Sequence, residues 1–553
     1  MKKIRRVLSL TLMLALCLAL MTACGNNNGT ATTSSNPSDN PSSSPDSSPG
    51  GSQSSNPDSF FNLVVKDPPD PGAQLADNVT VLISDSIAVM NVHAIAGTGA
   101  FTSNAHMMVY DCLAFMLLDG TGLFIPMLAK SWETDDFQTW IFHLRDDVYF
   151  HNGDKMTAKD VVYTVNLGKE QIGTPAYENW TYADTIEALD DYTVKITLLS
   201  PYPDYLYHVA PAMCQILNQR AIEEDPEKGY WVGTGPYKVA EFSSNDYIVF
   251  ERFDDYYGEK PYTKTVTFKY VPEPSSRTIM MENGQATVAR GVPITDYPIF
   301  ENDPDYKLIS TVTNNLTSIL FNMDDPITGD WNFRMAVASA IDRTELTALS
   351  ADNAIPIPEE LGSVWGRTTN YRNTDIHAVP YDLDKAKEYL AASPYDGTPV
   401  ELAYQFTVGR AGEAIQQQLA KIGLEIVLNP MDMPSIGAYT IWSDNKSQMV
   451  FYDILLNLNA SSGYQNNFRP GSNNNRMRYD NPELTEMINA APGIIGEAER
   501  EAHFTKMQEI IAKDIPCIPV YWQEKVAIGV KGAGGITVGS TFEDYRYLYE
   551  VIG

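Results

Sequence analysis

The residue types that perform covalent catalysis are present in this sequence, but their spacing does not form a known catalytic motif. Ser443 and Lys446 make a Ser-x-x-Lys pattern, and the same segment reads Ser-Asp-Asn over residues 443–445. In penicillin-recognising enzymes these two motifs lie far apart in the sequence, and a Lys-Thr-Gly motif, which is missing here, accompanies them. The sequence also contains no Gly-x-Ser-x-Gly and no His-Glu-x-x-His motif. These observations predict that the protein is not an enzyme.

Potential metal ligands are equally scattered. The seven histidines do not recur at metal-ligand spacing, and no Cys-x-x-Cys pair occurs. We therefore expect neither a cofactor nor a metal site built by the protein alone, although a metal carried inside a chelate stays open as a ligand. Cys112, Cys214 and Cys517 cannot all pair within one chain, so at least one of them is expected to be a buried, inert thiol.

Length and charge narrow the class of protein. A chain of 553 residues is too long for one hydrophobic core, so two or three domains are expected. The formal net charge is −31, and removing the four basic residues within positions 1–23 would bring it near −35 (−31 − 4). A surface this acidic disfavours nucleic acid and anionic lipid headgroups as partners.

The amino terminus predicts export and membrane attachment. A basic start is followed by an apolar run of signal-peptide length, which ends in Leu-Met-Thr-Ala before Cys24. This pattern resembles a bacterial lipobox, in which Cys24 would be diacylated and become the first mature residue, and two acyl chains anchor stably. The alternative is ordinary secretory cleavage beside an incidental cysteine. Residues 24–60 are rich in Ser, Asn and Pro and predict a disordered tether.

Residues 126–163 carry the most distinctive pattern of secondary structure. Residues 139–144 alternate apolar and polar side chains, which predicts a half-buried strand. Residues 134–138 and 151–154 read as turns, and Thr157 is a candidate N-cap for a helix that continues through an apolar run. The stretch therefore predicts a compact α+β unit rather than a catalytic motif.

These positions also resemble a known family. The motifs P-x-L-A-x-S-W-E, T-W-x-F-x-L-R, F-H-x-G and T-A-x-D-V-V-Y lie within residues 126–163, and G-T-G-P-Y follows at residues 233–237. They are similar to the signature of the family 5 extracellular solute-binding proteins, the peptide, dipeptide and nickel-type receptors of ABC importers. The family usually has glycine where this chain has Phe137. Because phenylalanine resists positive φ, we expect the loop at this point to take another form.

The resemblance implies an α/β fold with α+β elements, two lobes of periplasmic-binding-protein type and an extra small domain on the first lobe. The expected boundaries are a signal peptide at 1–23, a tether at 24–60, a first lobe at 61–115, 226–314 and 521–553, a small domain at 116–225, and a second lobe at 315–520. Within this scheme residues 79–84 are expected to form a strand and residues 105–118 a buried helix.

The family binds its ligand between the lobes, which directs attention to polar and aromatic residues in the matching segments. In the first lobe the candidates are Asn91 and His93, although His93 is more readily explained as a solvated loop residue. In the second lobe the resemblance points to Trp365, Arg367, Tyr439, Trp442, Asn459, Ser461, Ser462 and Tyr464. The aromatic residues could equally be packing residues, and Arg367 and Arg410 are weaker candidates for a carboxylate clamp.

Residues 452–468 match the family segment in which a strand ends in a loop that often contains aspartate. In peptide receptors this aspartate holds the free ammonium group of the ligand, and here Ser461 and Ser462 stand about where the acidic residues would be. Because an ammonium entering a closed cleft needs a carboxylate partner, weakened selection for a free peptide amino terminus is expected. The alternative is a polar loop outside the cleft.

The resulting hypothesis is a monomeric, lipid-tethered receptor on the outer face of the bacterial cytoplasmic membrane. It would capture a peptide or other small solute and deliver it to the permease subunits of an ABC transporter, without binding nucleic acid. An oligosaccharide or other neutral solute is the alternative ligand. A lipid-anchored extracytoplasmic enzyme is the alternative from another functional class.

Overall fold

The computed structural model describes residues 67–94, 100–117, 123–172, 174–210, 214–350, 354–362, 364–366, 369–405, 410–455, 459–539 and 543–552. Cys24, the tether predicted at residues 24–60 and Arg367 lie outside these ranges.

The strands alternate with helices along most of the chain. The strands are β1 Asn78–Ile83, β2 Ala114–Met116, β3 Phe124–Pro126, β4 Ala129–Glu133, β5 Thr139–Leu144, β6 Ala183–Asp190, β7 Thr193–Leu198, β8 Tyr237–Ser243, β9 Tyr247–Arg252, β10 Thr265–Tyr270, β11 Val288–Arg290, β12 Tyr306–Phe321, β13 Ala354–Pro356, β14 Val400–Gln405, β15 Ile426–Met431, β16 Met449–Leu455, β17 Cys517–Val530, β18 Ala533–Gly534, β19 Thr537–Val538, β20 Glu543–Asp544 and β21 Tyr549–Glu550. The α-helices are α1 Ala100–Val109, α2 Ala158–Glu170, α3 Pro175–Trp180, α4 Leu206–Val209, α5 Gln219–Glu224, α6 Pro274–Glu282, α7 Tyr297–Glu301, α8 Trp331–Ala340, α9 Arg343–Ser350, α10 Leu383–Ala392, α11 Ala411–Ala420, α12 Met433–Tyr439, α13 Ala460–Phe468, α14 Pro482–Ala490 and α15 Glu497–Asp514. Short 3₁₀ helices span Pro203–Tyr205, Lys228–Trp231, Ile294–Asp296, Trp442–Asp444 and Ala491–Gly493.

A large mixed sheet of eleven strands organises the fold. Ten strands follow the order β15-β14-β16-β12-β17-β11-β1-β10-β9-β8, and β13 pairs with β17 beside this path. The pairs β1–β10, β1–β11, β14–β15 and β14–β16 are parallel, whereas β12 pairs antiparallel with both β16 and β17. We call β1 and β8–β11 the first half of the sheet and β13–β16 the second half. This mixed architecture confirms the expected α/β class.

The long strands β12 and β17 connect the two halves. They pair antiparallel from Tyr306 and Val530 at one end to Leu320 and Cys517 at the other. Within this ladder the register shifts between Val312 and Leu316 of β12. One end of β17 pairs with β11 of the first half, and one end of β12 pairs with β16 of the second half. The irregular ladder therefore lies where the strands pass from one half to the other.

A second, four-stranded sheet has the order β4-β5-β7-β6, and we call it the small sheet. Its core includes the fully buried Trp140 and Phe142 from β5 and Val161 from α2. The strand predicted at residues 139–144 is confirmed, with alternating burial along β5. Thr157 is the N-cap of α2, and its backbone N–H donates to Asp160 Oδ2 at 2.9 Å. Local sequence therefore predicted this unit well.

The prediction for Phe137 was wrong. This residue adopts φ 55°, the left-handed conformation that we expected phenylalanine to avoid. The turn is held by hydrogen bonds on both sides: the Phe137 N–H donates to Thr134 Oγ1 at 2.9 Å, and its carbonyl accepts from Trp140 Nε1 at 3.1 Å. Its ring also packs on the small-sheet core. These contacts compensate for a backbone conformation that disfavours side chains with a Cβ.

This conformation predicts an unusual order of stability for two variants. Phe137→Gly is expected to be more stable than Phe137→Ala by about 1 kcal/mol, because both lose the ring and only glycine relieves the positive φ. Urea denaturation followed by circular dichroism measures the difference. At Lys421, where φ is −60°, the same pair of substitutions should give the opposite order. Equal or reversed stabilities at position 137 would show that the backbone there is not left-handed.

The helix predicted at residues 105–118 was placed incorrectly. The structure has α1 at Ala100–Val109, followed by the short strand β2 at Ala114–Met116. Residues 105–117 are buried almost throughout, so the apolar run reflects burial more than helical periodicity. A continuous apolar run does not distinguish a buried helix from a buried strand. The strand predicted at 79–84 is confirmed as β1, with bounds shifted by one residue.

Candidate functional site

Ser461 and Ser462 lie in the first turn of a helix, whereas the sequence predicted a loop. Asn459 is the N-cap of α13, and its side-chain oxygen accepts the N–H of Ser462 at 3.1 Å. The Ser462 hydroxyl donates to the Asn459 carbonyl at 3.2 Å. Asparagine is a favoured N-cap because its oxygen satisfies a helix donor that has no backbone partner. The local sequence Asn-Ala-Ser-Ser therefore starts a helix.

The hydroxyl of Ser461 points to a carboxylate from a distant part of the chain. It donates to Asp204 Oδ2 at 3.0 Å, although Asp204 precedes it by 257 residues. Asp204 lies in the 3₁₀ helix that follows β7 of the small sheet. The sequence placed no acidic group beside the serine pair, and tertiary structure supplies one.

That carboxylate is already paired. Arg500 of α15 donates from Nη2 to Asp204 Oδ2 at 2.6 Å, and both side chains are buried. Its Nε donates to the Tyr371 hydroxyl at 3.1 Å. Burial is the largest single effect and lowers the pKa of the Arg500 guanidinium, but the interactions with Asp204 and Tyr371 together outweigh it, and the net pKa is raised. Ser461, Asp204 and Arg500 therefore form a neutral, hydrogen-bonded group. It joins residues 203–209, which we call the small-sheet segment, to α13 and α15, which pack on the second half of the large sheet.

A further contact joins the same two parts of the molecule. The Asn370 side chain donates to the Tyr207 hydroxyl at 3.3 Å, with Tyr207 in α4 next to the Asp204 helix. The Tyr207 ring packs edge-on against Phe124 of β3, with ring centres 4.7 Å apart. The small-sheet segment thus contacts the second half through side chains that are far apart in the sequence.

Trp365 and Tyr464 are brought together, but inside the core. Both are fully buried, and their rings stack with centres 4.5 Å apart. The indole nitrogen of Trp365 donates to the Asn370 carbonyl at 3.0 Å. Among the described residues the Tyr464 hydroxyl and the Asn459 amide nitrogen have no hydrogen-bond partner, although both are buried. The stacked pair therefore supports the helix that carries the serine residues.

Tyr439 and Trp442 make contacts of a different kind. The Tyr439 hydroxyl at the end of α12 donates to Glu401 Oε1 at 2.9 Å. Trp442 lies in a 3₁₀ helix, and the guanidinium of Arg478 sits 5.5 Å from its ring centre. Both residues therefore lie in helical turns. Arg410, next to the start of α11, is exposed.

Asn91 and His93 lie together after β1. The Asn91 side-chain oxygen accepts the backbone N–H of His93 at 2.9 Å. The interpretation of His93 as a solvated loop residue was wrong, because its side chain is fully buried. Neither ring nitrogen has a hydrogen-bond partner within the described ranges, and burial lowers the pKa of His93 to about 4. Burial also lowers the pKa of the neighbouring His106 to about 3. Both imidazoles are therefore neutral near pH 7.

Sequence reasoning missed a half-buried carboxylate at the centre of the large sheet. Asp453 of β16 accepts from Thr317 Oγ1 of β12 at 2.6 Å and from Gln523 Nε2 of β17 at 2.8 Å. Burial raises the pKa of Asp453, and the two hydrogen bonds counteract part of this effect. The three residues come from three different strands, so no local motif could have indicated the group.

The described residues contain no group of three or more His, Cys, Asp or Glu side chains that could hold a metal ion. Cys112, Cys214 and Cys517 are buried, and none of these three is in a disulfide. No helix in the described part of the chain is both long enough and apolar enough to cross a membrane.

Comparisons with known proteins give a consistent result. The family model described as bacterial extracellular solute-binding proteins, family 5, matches residues 124–476, well over half of the chain. The chain is 26% identical over 410 residues to the nickel-binding periplasmic protein of Escherichia coli K12, covering 69% of this chain and 76% of that protein. It is 24% identical over 471 residues to the peptide transport periplasmic protein SapA of Salmonella typhimurium, covering 75% and 82%. Among solved structures, the ABC transporter substrate-binding protein CtaP of Listeria monocytogenes has the same fold, with a TM-score of 0.78 and 23% identity over 87% of this chain and 100% of that one.

Proposed function

The chain belongs to the family 5 bacterial extracellular solute-binding proteins, and we propose that it captures a solute outside the cytoplasm and delivers it to the permease of an ABC importer. The solute binds between two lobes, built around the first and second halves of the large sheet. Hinge closure then buries the ligand and presents the closed form to the permease.

The observation that carries this proposal is the pair of long strands that connects the halves. β12 and β17 pass from one half to the other, and their ladder is irregular between Val312 and Leu316. Interrupted strand pairing gives a local bend with fewer hydrogen bonds to deform. Each half has its own hydrophobic core, so the halves can rotate as rigid bodies about this point.

For attachment, we propose diacylation of Cys24, with residues 24–60 as a tether to the outer face of the cytoplasmic membrane. The lipobox-like sequence before Cys24 supports this assignment. Mass spectrometry of the protein extracted from membranes should give a chain that begins at Cys24 and carries two acyl groups. A chain without acyl groups would remove the anchor from the proposal and leave the receptor role intact.

For the ligand, we propose an oligopeptide-like solute without strong selection for a free amino terminus. Ser461 and Ser462 carry no charge, and the nearby Asp204 carboxylate is neutralised by Arg500. A ligand ammonium would have to compete with a buried guanidinium for this carboxylate. An oligosaccharide or other neutral solute is the second candidate, favoured by the same neutral donors and acceptors.

The test is a thermal-shift comparison of matched ligands. A peptide that binds the native protein preferentially raises its melting temperature by mass action. Tetrapeptides with a free and with an acetylated amino terminus are expected to give similar shifts. A shift with the free peptide and none with its acetylated counterpart would contradict the interpretation of the serine pair. A shift with a neutral trisaccharide and with neither peptide would establish the second candidate.

The same mixtures test the functional class. A receptor retains its solute stoichiometrically and releases it unchanged, which native mass spectrometry of the complex measures. Chemical conversion of the bound peptide or sugar by the purified protein would instead establish the alternative of a lipid-anchored enzyme.

A further inference from the structure

A small cavity lies beside the second half of the large sheet, between the first turn of α9, the end of α15 and the start of β17. Its volume is about 40 Å³, which is room for about three water molecules. Most of its lining is apolar and includes Ala338, Val364, Ile511 and Ile518. Arg343 supplies a guanidinium to this lining, and no Asp or Glu side chain among the described residues does. We call this space the Arg343 cavity.

Arg343 is buried, yet one end of its guanidinium is unused by the protein. The side chain is the first of α9, and the residue is only 7% exposed. Its Nε donates to the Pro519 carbonyl at 2.9 Å, and its Nη1 donates to the Val379 carbonyl at 3.1 Å. Its Nη2 donates to no group within the described residues. Two N–H groups of a buried cation are therefore left for another acceptor.

Other buried arginines show how a guanidinium is satisfied when its role is structural. In both Arg277 and Arg334 all three nitrogens, Nε, Nη1 and Nη2, donate to backbone carbonyls. Buried polar groups normally find such partners because leaving them without one is costly. Arg343 is held by carbonyls on one side only, and the cavity lies beside it. The arrangement is that of an anchored donor with a free end.

The protein also places no carboxylate against Arg343. The preceding residue, Asp342, accepts the N–H of Glu345 at 3.0 Å and so caps α9. Burial is the main effect on the pKa of Arg343 and lowers it, while the exposed Glu359 acts in the opposite direction without forming an ion pair. An acceptor with a negative charge would therefore form charge-assisted hydrogen bonds that the protein itself does not make.

We propose that the Arg343 cavity binds a small aliphatic carboxylate. Nη1 has a second hydrogen besides the one given to Val379, and it lies in the same plane as those of Nη2. Adjacent donors of a guanidinium match the two oxygens of a carboxylate. The apolar lining suits a short aliphatic remainder, and mostly apolar walls with a few placed polar groups are typical of small-molecule sites. The volume admits only a few heavy atoms, as in acetate.

This site is separate from the region between the halves. All described lining residues lie between Ala338 and Pro519 in the sequence. Pro519 pairs with Ser318 of β12, whereas the pairing of β17 with the first half begins at Ala527, eight residues further along. Eight residues of strand span about 26 Å. A carboxylate in the Arg343 cavity would therefore be distinct from the solute that is proposed to bind between the lobes.

Acetate is the probe for this site. Saturation-transfer NMR on its methyl protons measures the dissociation constant, and sodium acetate should raise the melting temperature more than sodium chloride at equal ionic strength. Arg343→Met should raise the acetate dissociation constant about 10- to 100-fold, because charge-assisted hydrogen bonds are lost.

Ala512→Leu is a second variant, which fills the cavity and leaves the hydrogen bonds of Arg343 to the two carbonyls in place. It should weaken acetate binding about 10-fold or more by excluding the ligand from the space it needs. Ala502→Leu is the matched control, since it makes the same change at an exposed position of the same helix. It should bind acetate like the native protein.

The filling variant decides the outcome if Arg343→Met does not fold. Salts also act on the whole protein surface, so the informative quantity is the acetate effect that Ala512→Leu loses and Ala502→Leu keeps. Undiminished acetate binding by Ala512→Leu, or equal effects of acetate and chloride on the native protein, would overturn the proposal. Tighter binding of inorganic phosphate than of acetate would overturn the assignment to a carboxylate.

Discussion

Arg500→Met is expected to lower the free energy of unfolding by about 3–5 kcal/mol, because it leaves the buried carboxylate of Asp204 without a counter-charge. The side chains of the pair are only 3% and 9% exposed, so water cannot replace the lost partner. The substitution also removes the hydrogen bond from Arg500 Nε to the Tyr371 hydroxyl. Urea denaturation followed by circular dichroism measures the change by linear extrapolation.

A surface ion pair on the same helix provides the control. Lys506 Nζ lies 2.6 Å from Glu483 Oε1, but these side chains are 57% and 58% exposed. Lys506→Met should therefore have a much smaller effect, since exposed ion pairs are screened by solvent. Adding Asp204→Asn to Arg500→Met should recover part of the stability by removing the unpaired charge. Similar losses for Arg500→Met and Lys506→Met would contradict the burial of the Asp204–Arg500 pair.

The Asp204–Arg500 pair also has a conformational consequence. It links the small-sheet segment to the second half, so its loss should loosen that contact as well as destabilise the fold. Small-angle X-ray scattering measures this loosening. Arg500→Met is expected to have a larger radius of gyration than the native protein. In the proposed receptor, the pair would favour the closed arrangement of the lobes.

Gly233→Ala is the second substitution with a large expected effect. It should lower the free energy of unfolding by about 3 kcal/mol or more. A Cβ on Gly233 would lie 2.0 Å from the carbonyl oxygen of Val109, which belongs to the backbone of α1. That oxygen also accepts the N–H of Gly235 at 2.8 Å, so the two segments cannot separate without breaking a hydrogen bond. Thermal and urea denaturation of the variant measure the loss.

Gly437 provides the matched control for this prediction. It lies inside α12, and a Cβ there would meet no atom within 4 Å. Gly437→Ala should therefore stabilise the protein slightly, because alanine favours the helix and narrows the unfolded ensemble. A native-like stability of Gly233→Ala would show that the loop does not approach α1 as closely as the structure places it.

The loop that contains Gly233 also gives a structural reason for the G-T-G-P-Y motif, which the sequence identified only by its resemblance to the family. The Gly233 N–H donates to His151 Nδ1 at 3.2 Å, and His151 Nε2 lies 2.9 Å from the Gly235 carbonyl. Because Nδ1 accepts, Nε2 must carry the proton and donate, which makes the imidazole neutral. Burial, the main cause, lowers the pKa of His151 to about 4, consistent with this tautomer. The F-H-x-G and G-T-G-P-Y motifs therefore form one structural unit.

The sequence alone was sufficient to predict a structural element wherever local interactions determine that element. Alternating apolar and polar residues identified β5, an N-cap residue identified the start of α2, and family motifs spread over the chain identified the fold class. Phe137 shows the limit, because its φ is imposed by hydrogen bonds to Thr134 and Trp140 and by packing, against its own preference.

The candidate sites depended on tertiary structure. The sequence indicated that Ser461 and Ser462 replace acidic residues, but it could not show that Asp204 returns a carboxylate to Ser461 from 257 residues away, or that Arg500 neutralises it. Charge balance in a buried group is a sum over long-range neighbours. Family motifs in the sequence therefore identified the class of this protein, and the charge balance of its candidate site was decided by the folded chain.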